Sequence, residues 1–195
     1  MKKILGIDGS KGGWIAVKQC VNHEDHTEID FRENLIELLT PDIKLAIIDM
    51  PVGLDKNPQK GGRLVDKEAR KILDKRKSSI FNAPCRVILN ATNYAEANSL
   101  SKKNGLGISK QSWNLVPKIK ELDKVLRIKK RPKIYESHPE ICFQFMNDKA
   151  LKFSKKEAQG IQERKNILVK NGFSKRFLDK YSKKNKKFLA DDFLD

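Results

Sequence analysis

Three acidic side chains stand directly after short apolar runs: Asp8 after Ile4-Leu5-Gly6-Ile7, Asp49 after Leu45-Ala46-Ile47-Ile48, and Glu136 after Ile134-Tyr135. A carboxylate at the end of a buried strand is costly unless it reaches solvent or binds a cation. Each has a plainer use when taken alone, since Asp before Gly commonly starts a turn; three repeats of one pattern are harder to assign to turns. Glu140 follows Glu136 by four residues, and His138 lies between them, where an imidazole could ligate a metal, protonate a leaving group or simply pack. Hard oxygen donors of this kind suit Mg2+ or Mn2+. Two such ions about 3.5–4 Å apart can activate a water and stabilise the leaving oxygen of a phosphodiester. The chemistry to expect is therefore phosphodiester hydrolysis. Carboxylates gathered in one place repel without metal, so metal binding should also stabilise the fold.

These acids need a scaffold that brings distant segments to one edge, and the apolar patterning predicts one. Ile4 to Ile7 and Trp14 to Val17 flank Gly9-Ser10-Lys11-Gly12-Gly13 and read as a hairpin with a loose glycine-rich connection; Ile29 to Phe31 supplies a third strand. Asn34 to Leu39 reads as helical. Leu45 to Ile48 is a continuous run of the kind buried in the centre of a sheet, entered by a crossover. Pro51 ends it near Asp49. Helical spacing continues over Asp66 to Leu73 with Asp66 as N-cap, over Asn93 to Leu100 and over Ser109 to Leu126. Lys133 to Glu136 is a short strand, and Ser137-His138-Pro139-Glu140 reads as a helix start with proline in the first turn. Lys155 to Val169 is a further helix, capped by Asn171-Gly172. In an open α/β sheet the exits of parallel strands share the edge where ligands bind, so these acids can converge there.

The chain's 195 residues suit one domain, residues 1–195, and the sequence marks no internal boundary. Lys and Arg number 41 against 25 Asp and Glu, a formal net charge of +16, which attracts polyanions and points to nucleic acid as partner. A solvated basic surface with no ligand is the plainer alternative. The charge is clustered: Lys152 to Lys187 holds 13 basic and 3 acidic residues, and Lys124 to Lys133 holds six basic residues and no acid. Cys20, Cys85 and Cys142 form no C-x-x-C pair, which argues against a disulfide framework or a zinc site. The apolar stretch before Asp8 is too short for a signal peptide, and no run approaches the ~20 apolar residues of a membrane span. A cytoplasmic protein without membrane contact is expected. His23 and His26 lie in a polar stretch and read as surface residues. Trp113 reads as core, and Ser78 to Pro84 as either a substrate loop or a plain connection.

Several separated motifs also resemble the DUF429 family of predicted ribonuclease H-like nucleases. They are Gly6-Ile7-Asp8-Gly9-Ser10-Lys11-Gly12-Gly13-Trp14, Ile48-Asp49-Met50-Pro51-Val52-Gly53-Leu54, Asp66 to Arg70, Ser78 to Arg86, Gln111 to Asp123, and Glu136-Ser137-His138-Pro139-Glu140. The resemblance implies an α/β fold with a mixed sheet, its first three strands antiparallel and the later ones parallel, flanked by helices. It makes Asp8 the catalytic first-strand acid and Asp49 the second carboxylate, with Glu136 and Glu140 as candidates from the later motif and His138 beside them. It also implies a C-terminal helix following Asp191 to Asp195, whose start supplies a further acid, here Asp192 among Asp191, Asp192 and Asp195; the sequence ends as that helix begins.

The leading expectation is a Mg2+- or Mn2+-dependent nuclease with Asp8, Asp49, Glu136, Glu140 and Asp192 around metal and a basic second half along the nucleic-acid backbone. Two others stay open. One is a nucleotide-binding phosphotransferase of the actin and sugar-kinase type, with Gly9 to Gly13 around phosphates and Asp49 as base. The other is a nucleic-acid-binding module without catalysis.

Overall fold

The computed structural model describes residues 2–21, 23–182 and 190–194, without the side chains of residues 23–26, 75, 190 and 191. The chain divides into two compact units, residues 1–50 with 125–195, and residues 51–124.

The first unit is built on a five-stranded sheet. Strands β1 (Lys3–Ser10), β2 (Gly13–Cys20) and β3 (His23–Arg32) form an antiparallel meander, and β4 (Ile43–Ile48) and β5 (Lys133–Glu136) add parallel strands beyond β1, in the order β3-β2-β1-β4-β5. This is the mixed α/β sheet that the resemblance implies. The glycine run between β1 and β2 is tight rather than loose. Ser10 pairs with Gly13, so only Lys11 and Gly12 turn the chain, with Gly12 at φ +80°. A β-carbon on Gly13 would lie 2.3 Å from the Arg32 carbonyl oxygen of β3, which accounts for glycine there. The helix expected at Asn34–Leu39 contracts to a 3₁₀ turn at Leu35–Leu38, whose two leucines are fully buried.

Seven helices occur among the described residues: α1 (Leu64–Leu73), α2 (Tyr94–Lys103), α3 (Lys110–Leu126), α4 (Pro139–Asn147), α5 (Ala158–Lys170), α6 (Lys175–Tyr181) and α7 (Ala190–Leu194). None of them is long and apolar enough to cross a membrane. Phe143 of α4, Ile167 and Leu168 of α5, Leu178 of α6, and Phe193 and Leu194 of α7 pack with Ile15 of β2 in one core. Burying such a side chain contributes about 1.5–3 kcal/mol, so this core holds α4 to α7 on the Ile15 face. Asp8 is the cross-strand partner of Ile15 and shares that face. The helix expected from Lys155 begins instead at Ala158, because Ser154 to Glu157 closes a turn through the Glu157 N–H to the Ser154 carbonyl. Asn171 and Gly172, the latter at φ +94°, end α5 as expected.

In the second unit the N-cap of α1 is Arg63 rather than Asp66. Asp66 acts from the third helical position, accepting the Arg63 N–H at 2.9 Å in a capping-box arrangement. Asn93 caps α2 by accepting the Glu96 N–H at 2.9 Å. Cys85, Ile88, Ala97, Ile108 and Val116 form this unit's core, with Trp113 packed against it.

Candidate carboxylate site at the sheet edge

Asp8 lies inside β1 rather than at its exit, because Gly9 and Ser10 continue the ladder opposite Trp14 and Gly13. Its Oδ1 accepts the Gly9 N–H at 2.6 Å. Successive side chains of a strand alternate faces, so Asp8 and Ser10 project to the same side. There the buried Ser10 hydroxyl donates to Asp192 Oδ2 of α7 at 2.9 Å. Asp8 and Asp192 line one cavity of about 290 Å3, otherwise walled largely by apolar side chains such as Ile15, Val17, Phe143 and Phe177. Asp49 follows the last residue of β4. Its N–H donates to the Ile7 carbonyl at 3.0 Å, continuing the register in which Ile7 pairs with Ile48, so Asp49 stands level with Asp8 on the neighbouring strand.

The other expected acids are differently engaged. Glu136 pairs with Ile48, and Ile48 with Ile7; cross-strand partners share a face, so Glu136 belongs to the face opposite Asp8. His138 is the N-cap of α4, its Nδ1 accepting the Glu140 N–H at 3.3 Å, which gives the ring a structural task at the helix start. Glu140, expected as a metal ligand, is buried and ion-paired through Oε1 with Arg164 Nη2 of α5; Arg164 is 1% exposed and its guanidinium stands over the Phe143 ring at 5.4 Å. A carboxylate held by a buried arginine already has its charge balanced. The Asp191 side chain, Asp195, and the side chains of His23 and His26 lie outside the described residues.

The structure thus sets Asp8 beside Asp192 in one cavity and level with Asp49 on the next strand, puts Glu136 on the opposite face, and engages His138 as a cap and Glu140 in an ion pair. Among the described residues, no group of three or more His, Cys, Asp or Glu is already drawn together to hold a metal ion. The donor chemistry nonetheless fits a hard divalent cation, since all three are carboxylates. A carboxylate accepts at about four sites, so a donor that orients it and a cation are compatible. Two residues of these arrangements were not anticipated. Ser10 had a usable signal, a hydroxyl two positions after Asp8 and therefore on the same face of a strand. Arg164 had another, the one arginine among the buried positions Gly160, Ile167 and Leu168 of α5.

With this geometry in place, comparison with known proteins gives one match. The family model described as "Protein of unknown function (DUF429)" covers residues 6–195, nearly the whole chain, and the chain belongs to that family. No curated protein and no solved structure matches it.

Proposed function

We propose that this member of the DUF429 family is a divalent-cation-dependent phosphodiester hydrolase acting on nucleic acid, with Asp8, Asp49 and Asp192 as the acids that hold Mg2+ or Mn2+. The observation that carries this reading is the Ser10–Asp192 hydrogen bond, which sets an acid from the last described helix on the same sheet face as Asp8. In this reading acids from three remote segments serve one edge of the sheet, the kind of place where open α/β sheets bind ligands. A cation held there supplies a polarised water and offsets the charge that develops on the phosphodiester.

The chain's own residues do the positioning. The Gly9 N–H and the Ser10 hydroxyl orient the Asp8 and Asp192 carboxylates, and the ladder bond to Ile7 sets the backbone of Asp49. Polyanion binding comes from the remainder of the sequence: residues 1–50 carry 9 acidic and 6 basic side chains, whereas residues 51–195 carry 35 basic and 16 acidic ones. Phosphate contacts of this kind position a strand without reading its bases.

The test is thermal unfolding of the full chain with and without a few millimolar Mn2+, alongside incubation with labelled single- and double-stranded DNA and RNA. The expected result is a metal-dependent rise in Tm and a metal-dependent cleavage, both lost in Asp8→Asn and Asp49→Asn. Nucleic-acid binding that persists with chelator, with no cleavage and no metal-dependent rise, would replace this reading with that of a non-catalytic binding module.

A further inference from the structure

The second unit contains a cavity of its own, about 500 Å3, with every lining residue between Asp55 and Ser112. Small-molecule sites typically measure about 300–1,000 Å3, so its size suits a ligand larger than a bare ion. Its wall carries two arginines in different electrostatic states. Arg63 is paired with Asp66, Nη2 to Oδ1 at 2.6 Å. Among the described residues Arg70 is held only by neutral oxygens: Nε and Nη2 donate to the Ile80 carbonyl at 3.1 and 3.0 Å, Nη1 to the Gly61 carbonyl at 2.6 Å, and Nη2 also to Asn82 Oδ1 at 2.6 Å. Carbonyl and amide oxygens fix the guanidinium without cancelling its charge. The result is a cation of set orientation in the wall of a cavity, with one of its five N–H groups, on Nη1, outside these bonds. A planar guanidinium presented in this way recognises phosphate or carboxylate.

The clamp on Arg70 is built into the backbone. Gly62 has φ +83°, and a β-carbon there would lie 2.7 Å from Asp66 Oδ2 and 2.9 Å from Asn82 Oδ1. Its missing side chain lets Asn82 reach Arg70 and Asp66 reach Arg63. The remaining wall is unlike a site for inorganic phosphate. Phe81, half-buried, offers an aromatic side chain to a ring. Asn57, Gln59 and Gln111, exposed at the cavity's lining, carry side-chain amides with no hydrogen bond among the described residues, and the half-buried Asp55 adds an acceptor. An anionic group for Arg70, a planar ring for Phe81, and donors and acceptors for the amides and Asp55 together describe a nucleotide.

We propose that this cavity binds a nucleoside monophosphate unit, its phosphate at Arg70 and its base against Phe81, as a free mononucleotide or as one residue of a strand. The assignment stands independently of the carboxylate site in the first unit, and the Asp8→Asn variant retains it.

Amide chemical shifts of the full chain, followed by NMR during titration with each 5′-mononucleotide, with inorganic phosphate, with a nucleoside, and with a short oligonucleotide, test it. The mononucleotide should shift Gly61, Gly62, Ile80, Asn82 and Gly107 and saturate below about 10 mM, a binding energy of only a few kcal/mol. Phosphate alone and nucleoside alone should each bind at least about tenfold more weakly, since each forfeits one set of contacts. Gln111→Glu places a like charge in the wall without removing a hydrogen bond, and should weaken the mononucleotide several-fold with unfolding unchanged. Arg70→Gln should weaken it more, and if that variant does not fold, Gln111→Glu carries the test. Saturation of the same amides by the oligonucleotide at lower concentration supports the site and identifies the strand as its source. No shift of these amides by any nucleotide, phosphate binding as tightly as the mononucleotide, or unchanged affinity in Gln111→Glu overturns the assignment.

Discussion

The helices and the sheet edge hold their acids in different ways. Three carboxylates of the helical regions are matched to arginines: Glu140 to Arg164, Asp66 to Arg63 at 2.6 Å, and Asp123 to Arg86 at 2.8 Å. At the sheet edge Asp8 is oriented by a backbone N–H and Asp192 by a hydroxyl. A guanidinium cancels a carboxylate's charge and fixes the elements that carry the pair. A neutral dipole steers an oxygen and leaves its charge to act. The three arginine-paired acids therefore serve the architecture, and under the proposed function the edge acids are the ones oriented for a cation.

The sharpest way to break that distinction is to unpair Glu140. With Glu140 and Arg164 both buried, Glu140→Ala strands a guanidinium in the core and should destabilise by about 3–5 kcal/mol in urea unfolding, whereas replacing both residues by methionine should recover most of the loss. A cost below about 1 kcal/mol for the single change would mean the pair is solvated, and Glu140 would return as a candidate ligand. The next largest effect lies at Gly160, whose carbonyl accepts Arg164 Nη1 at 3.3 Å. A β-carbon there would stand 1.9 Å from the Ser154 carbonyl oxygen, so Gly160→Ala must move backbone rather than a flexible side chain. A loss of about 1–3 kcal/mol is expected by the same measurement.

At the sheet edge the expected effects on stability are smaller and those on metal response larger. Ser10→Ala removes the donor to Asp192 and should lower stability by about 1 kcal/mol, while reducing the Mn2+-dependent rise in Tm, because Asp192 then loses its orientation. A Ser10→Ala protein with an undiminished metal response would separate Asp192 from the site and leave Asp8 with Asp49 alone.

What the sequence disclosed follows the same division. Asp49 was legible because a local signal, four apolar residues closed by Pro51, places it at the end of β4. β5 and the start of α4 were legible for similar reasons: a short apolar run, then a proline in a helix's first turn. Asp8 was found on the right strand but put at its end, because five residues rich in glycine suggest a long loop, and only the Arg32 carbonyl of β3 makes clear that Gly13 is a packing requirement. The surroundings of Glu140 and Glu136 were not legible, for non-local reasons. A partner 24 residues away in α5 engages the first, and the pairing register of β5 with β4 sets the face of the second. Spacing along the chain carries neither. The cavity of the second unit was half legible: Ser78 to Pro84, which lines it, read as either a substrate loop or a plain connection, but the clamp on Arg70 draws its oxygens from residues 61, 80 and 82, which spacing along the chain does not reveal.

A third acid offers the same kind of hydroxyl contact away from both settings, and so isolates what such a contact is worth. Asp42 accepts a hydrogen bond from the Thr40 side chain, with Lys3 Nζ at 3.6 Å, and it stands at the surface. The Thr40 hydroxyl, with smaller help from Lys3, holds the Asp42 carboxyl below its ordinary value of 3.8. A folded-state pKa that is lowered stabilises the protein above the unfolded value, and that stabilisation is lost as the pH falls through the folded value. Thr40→Val should therefore move the Asp42 pKa up toward 3.8 in an NMR titration. It should cost a few tenths of a kcal/mol at neutral pH, a solvent-screened contribution, and the difference from the parent should vanish as the pH falls below the ordinary carboxylate range.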